Sequence, residues 1–133
     1  MKYVVQKYIE NSMIVLNRKF DIRQWVLVTD WNPLTVWMYA EPYIRFAAAD
    51  FSYKHIHNRY AHLSNNSIAK HAKKMTVSHH IEDNMWSLDQ FQGYLCDEYG
   101  YDVWDEKLLK QIKKLVVNSC KSVQDMFDQR RGQ

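Results

Sequence analysis

The chain is predicted to be a mixed α/β (α+β) protein, with an antiparallel-rich sheet across roughly residues 3–47 followed by helices. Two patterns predict this. In the first third, β-branched and aromatic runs are separated by short turn signals, Asp30-Trp-Asn-Pro33 and Ala40-Glu-Pro42. Such connections are too short for parallel crossovers and favour an antiparallel meander. From about Asp105 onward, apolar residues instead recur every three or four positions, the spacing of an amphipathic helix. Composition supports one folded domain or part of one: 133 residues, 47% hydrophobic, five Trp and nine Tyr.

Taken in order, Tyr3-Val-Val-Gln-Lys-Tyr-Ile9 reads as a strand. Starting so close to Met1, it hints at a piece of a larger domain. Met13-Ile-Val-Leu16 is a short apolar run, and Asn17-Arg18 turns into the stretch from Arg18 to Pro33. Read as a strand, that stretch places Lys19, Asp21 and Arg23 on one face, and Phe20 and Ile22 on the other. From Trp25 onward both faces carry bulk, the mark of a buried central strand. Thr35–Tyr39 and Tyr43–Ala47 return as further strands. Arg45, between Ile44 and Phe46, either snorkels out or faces a cleft.

Asp50 or Ser52 is expected to cap a short helix through Tyr60. His62-Leu-Ser-Asn-Asn-Ser67 is a cluster of small hydrogen-bonding side chains, a turn or a ligand contact. Ile68 to Asn84, with Lys70, Lys73, Lys74, His71, His79 and His80, reads as a surface loop or a partner-binding segment. The His79-His80 pair has no well-spaced third ligand to support zinc. A helix begins near Met85, with Ser87 and Gln90 at capping-box spacing and Gly100 as its stop. The final helix, about Asp105 to Arg130, carries Leu108, Leu109, Ile112, Leu115, Val116, Val123, Met126 and Phe127 as a core stripe. Its lysines face solvent, and Arg130 and Arg131 suit its C-terminal end.

The net charge of +3 permits an acidic partner without demanding nucleic acid. Cys96 and Cys120 are isolated, which excludes a disulfide framework and fits free buried thiols in a reducing compartment. No apolar run approaches the ~18 residues of a membrane span, so no membrane role is expected and the chain reads as soluble and intracellular. Only three glycines occur, and none forms a phosphate-cradling motif. Chemistry therefore rests on the row Lys19, Asp21, Arg23, whose neighbours stand roughly 7 Å apart. A cation, an anion and a cation at that spacing either satisfy one another or line an elongated charged ligand.

Five blocks in order resemble the tubulin tyrosine ligase-like family: Val4-Val-Gln-Lys-Tyr-Ile9, Lys19-Phe-Asp-Ile-Arg23, Tyr43-Ile-Arg-Phe-Ala47, His62-Leu-Ser-Asn-Asn-Ser67, and Asn84-Met-Trp-Ser87 with Gln90-Phe-Gln92. Trp31-Asn-Pro-Leu34 and Asn84-Met-Trp-Ser87 most resemble its glycine-adding branch. The resemblance implies a partial ATP-grasp-like fold over 1–133 and an ATP-dependent ligase that adds glycine to glutamate side chains of tubulin. It implies that Gln6, Lys7, Tyr8 and Ile9 match the edge receiving adenine. Lys19 and Asp21 match nucleotide contacts, Asp21 near the ribose. Arg23 and Arg45 match basic residues facing the phosphates and the acyl-phosphate end. Ser64 and Asn65 match a Thr-Asn pair lining the nucleotide site. Magnesium is implied too, but the family's phosphate-covering segment and its metal-binding motif are not among these residues, so no metal ligand is assigned here. A central fragment, inactive by itself, is expected. Acidic tubulin tails and a free amino acid are the implied partners; cytoplasm, cytoskeleton and the axoneme of cilia are the implied locations. A glutamate ligase of the same family, or a non-catalytic module binding tubulin or nucleotide, are the competing readings.

Overall fold

The computed structural model describes residues 2–72, 75 and 77–128. Strands are β1 (Phe20–Arg23), β2 (Val26–Trp31), β3 (Leu34–Met38), β4 (Tyr43–Phe46) and β5 (Met85–Ser87). Helices are α1 (Arg59–His62), α2 (Asn66–Ala69), α3 (Leu88–Tyr99), α4 (Leu109–Lys121) and α5 (Gln124–Asp128). One sheet has the order β1-β4-β5, and a second pairs β2 with β3. The mixed α/β expectation therefore holds, but the simple meander does not. β4 lies beside β1, and the β2–β3 hairpin is an excursion between them. The chain forms two compact units, 1–21 with 45–85 and 22–44 with 86–133, and the division falls within β1, β4 and β5.

In the first unit, the expected strand over Tyr3–Ile9 is absent. Residues 2–9 are irregular and exposed, with Val5 95% accessible. β-Branched residues form a strand only where a neighbour accepts their hydrogen bonds, and propensity cannot supply that neighbour. The core is Val15, Phe46, Ala47, Ala48, Ala49, Ala61 and Ile81. Val15 and Arg18 exchange two backbone bonds of 3.1 and 2.9 Å across Leu16 and Asn17, both with positive φ. That is the two-residue turn suited to strand twist. The helix expected through Tyr60 is two pieces. Ser52 caps a 3₁₀ turn at Tyr53–His55, and Asn58 caps α1. The 68–84 stretch is mostly surface, as expected, but Ile81 is buried. Lys73 and Lys74 lie outside the described residues.

In the second unit, β2 is not a buried central strand. Trp25, Val26 and Leu27 are exposed, because among the described residues the hairpin pairs with no third strand. Leu27 faces Trp37 across the pair, and the register shifts between Val28 and Asp30. Trp31 stacks on Phe127 at 4.1 Å, docking α5 on the hairpin. The core is Ile44, Phe91, Leu95 and Trp104. α3 starts at the expected capping box, with Ser87 and Gln90 bonded reciprocally. It ends at Gly100, whose φ of 76° lies in the left-handed region. Gly100→Ala is expected to cost about 1 kcal/mol, from strain alone since no atom crowds the site. Thermal denaturation checks this.

The single long final helix is instead three pieces: a π-helical turn at Trp104–Leu108, then α4, then α5 after a break at Ser122 and Val123. Its stripe is not core either. α4 buries no residue fully, and Leu115 is 66% exposed. Periodicity gives a helix an apolar face but not something to cover it. Cys96 is exposed and Cys120 half-buried, so the thiols are free, as expected, but not buried. Arg130 and Arg131 lie outside the described residues. No helix among the described residues is long and apolar enough to cross a membrane.

Candidate functional site

Nine of the ten residues singled out from sequence, all but Arg23, belong to the first unit. Five of these nine, Tyr8, Lys19, Asp21, Arg45 and Ser64, gather in two clusters based on one strand. Lys19 and Asp21 are two positions apart and so share a face of the strand. The backbone N–H of Ala47 donates to the Lys19 carbonyl at 2.9 Å, extending the ladder one residue before β1.

The first cluster surrounds Lys19. Its Nζ donates to the Tyr8 hydroxyl oxygen at 2.8 Å and lies 4.1 Å from the centre of the Tyr8 ring and 5.5 Å from that of Phe51. Tyr8 and His62 Nδ1 are 2.6 Å apart, while His62 Nε2 meets the His55 carbonyl at 3.3 Å. A carbonyl only accepts, so Nε2 donates there, and the Tyr8 hydroxyl bonds the other ring nitrogen. The ammonium thus sits among aromatic faces that favour a cation, and Tyr8 is held at both its ring and its hydroxyl. Gln6, Lys7 and Ile9 flank it on an exposed, irregular segment rather than a strand edge.

The second cluster surrounds Asp21. Arg45 Nε and Nη2 each reach one of its oxygens at 3.4 Å, and Ser64 Oγ donates to Oδ2 at 2.6 Å. The pairing is a fork on a carboxylate, the geometry for which arginine is suited. Arg45 does not snorkel out: its side chain is 14% accessible, against 32% for Asp21. Asp21 therefore pairs with Arg45 on a different strand. Asn65 is exposed at the N-cap of α2 and makes no side-chain cap bond. Arg45 and Ser64 line a small cleft with Phe46, Asn66, Ala69, Asp83, Asn84 and Met85. Chemically, the two clusters offer an ammonium among aromatics, a carboxylate with a hydroxyl, and a guanidinium.

Arg23 lies in the second unit, where it lines a cleft with Gln24, Trp25 and Tyr43. Among the described residues no three His, Cys, Asp or Glu side chains gather as metal ligands. Sequence reasoning missed His62 and Phe51. His62 opens the Leu-Ser-Asn-Asn block, and its position there was the only available signal.

A family model described as the tubulin-tyrosine ligase family matches residues 1–133. The chain is 43% identical to tubulin monoglycylase TTLL3 of Homo sapiens, over 98% of this chain and 17% of that protein. It is 42% identical to tubulin glycylase 3C of Tetrahymena thermophila, over 98% of this chain and 12% of that protein. To protein monoglycylase TTLL8 of Homo sapiens it is 40% identical, over 98% and 16%. The chain thus spans 12–17% of the length of these relatives. Antiparallel sheets followed by helices fit a partial ATP-grasp-like fold. This chain belongs to the tubulin-tyrosine ligase family.

Proposed function

We propose that this chain is the central portion of an ATP-dependent ligase that joins glycine to glutamate side chains of tubulin. The observation that carries the reading is the convergence of Lys19, Tyr8, Asp21, Arg45 and Ser64 in one unit of a chain whose relatives are named as glycylases. The residues suit ATP. Tyr8 and its exposed neighbours offer a face to adenine, Asp21 and Ser64 suit a ribose hydroxyl, and Lys19 and Arg45 suit phosphate. For Arg23, in the second unit, a role at the phosphates or the acyl end rests on the family resemblance alone.

In the proposed reaction, a glutamate carboxylate attacks the γ-phosphorus of ATP, forming an acyl phosphate and releasing ADP. The amine of glycine attacks the acyl carbon, and phosphate leaves with the C–O bond electrons. The amine loses its proton to solvent. The side chains of this unit contribute positioning and charge neutralisation rather than covalent chemistry. Magnesium belongs to such a transfer, but no residue of this chain is assigned to it. The net charge of +3 suits the acidic tails of tubulin, and the cytoskeleton and ciliary axoneme are the proposed location.

The test supplies the complete gene product with tubulin, ATP and labelled glycine or glutamate. ATP-dependent incorporation of glycine is expected. Incorporation of glutamate alone would move the protein to the glutamate-adding branch, and incorporation of neither would sink the ligase reading. In that last case microtubule cosedimentation that weakens with salt would favour a binding module.

A further inference from the structure

Arg18 precedes Lys19 in the chain, yet it points inward and is 1% accessible. A buried guanidinium is costly unless its donors and its charge are answered. Here its Nη1 donates to the Ala47 carbonyl at 3.2 Å and to Asn84 Oδ1 at 2.5 Å, and its Nη2 donates to the His79 carbonyl at 2.6 Å, while its Nε is buried with no hydrogen-bond partner among the described residues. Burial lowers its pKa and the Asp50 charge raises it; an arginine stays protonated regardless. Asp50 in turn accepts from the backbone N–H of Ser78 at 2.9 Å and from the Ser78 hydroxyl. The segment 78–84 is therefore held at both ends, by Asp50 at Ser78 and by Arg18 at His79 and Asn84.

That segment ends in an unusual way. Asp83 and Asn84 are consecutive left-handed residues, with φ of 50° and 54°. Asn and Asp tolerate this conformation better than other side chains, but it still requires surrounding support. Both residues line the cleft that holds Arg45 and Ser64. The Arg18 fork also grips Ala47, the residue after β4, which carries Arg45. One guanidinium thus joins the two sides of that cleft, and a lysine, with a single nitrogen, lacks the fork to do so.

We propose that Arg18 is a positioning residue, which sets the Asp83–Asn84 turn against Arg45 and Ser64 and so holds these two residues of the proposed nucleotide site in place. The nucleotide part of this rests on the ligase reading above. Two variants of the complete gene product test it. Asn84→Gly keeps a residue that accepts positive φ and removes the tether together with the Asn84 side chain in the cleft, whereas Arg18 does not line the cleft, so a shared effect of the two variants is the effect of the tether. Arg18→Lys keeps the charge and removes the fork. Both are expected to raise KM for ATP about tenfold, with hydrogen exchange at amides 78–84 accelerated and the thermal midpoint lowered, since a buried guanidinium loses an acceptor or its fork. Unchanged KM in both variants overturns the proposal. So does a KM defect without accelerated exchange at 78–84, or one in which kcat falls as far as KM rises, since a general loss of structure would produce that. If the wild-type protein binds no ATP, the ligase reading fails separately. The exchange of 78–84 in Asn84→Gly then decides, acceleration supporting the clamp and no change overturning it.

Discussion

Asp21→Asn is expected to reduce amino-acid transfer by the complete gene product by about 100-fold or more. The carboxylate faces the Arg45 fork at 3.4 Å and the Ser64 hydroxyl at 2.6 Å. An amide of the same shape keeps one acceptor but loses the charge that orients the guanidinium. Arg45, 14% accessible, is then left with its charge unanswered by Asp21. Removing one preorganised electrostatic contact from a reacting site typically costs about 10²–10³ in rate. Ser64→Thr provides the contrast, because it retains the hydroxyl and should stay within about threefold of wild type. Initial rates with labelled glycine distinguish the two. An Asp21→Asn rate within threefold of wild type would remove Asp21 from the machinery.

Phe91→Ala carries the largest expected effect on stability, a loss of about 3–5 kcal/mol. Phe91 is fully buried, with Leu95 buried one turn along α3 and the Trp104 ring edge-on at 6.3 Å. Truncation leaves a cavity that a short helix and a π-helical turn cannot close. A domain holds only about 5–15 kcal/mol in total, so the variant should unfold at much lower denaturant. Leu115→Ala is the paired control. Leu115 belongs to the apolar stripe of α4 but is 66% exposed, so its loss should stay within about 0.5 kcal/mol. Equal losses in urea titrations would mean that the stripe is core after all.

These two pairs show where the residue pattern is a guide and where it stops. The capping box of α3 and the left-handed Gly100 were legible because each depends on residues within one or two helical turns. The Lys19–Asp21 face was legible because strand side chains alternate with period two. The mixed α/β class followed from the same local rules. By contrast, Tyr3–Ile9 has a strand's composition without a strand's partner, and the α4 stripe has a core's spacing without a cover. The Tyr8–His62 bond joins residues 54 positions apart, and Arg18 to Asn84 spans 66. No spacing rule reaches that far.

The sequence by itself determined the family, the shared face of Lys19 and Asp21 and the ends of α3, because motifs, caps and strand alternation are short-range properties. Only the tertiary structure decided that β4 lies beside β1, that Asp21 answers Arg45, and that Arg18 turns inward to grip Asn84. Those outcomes depend on which distant backbone and side-chain groups come to satisfy one another once the core has closed, and a buried polar group takes whichever partner the packed chain brings within reach.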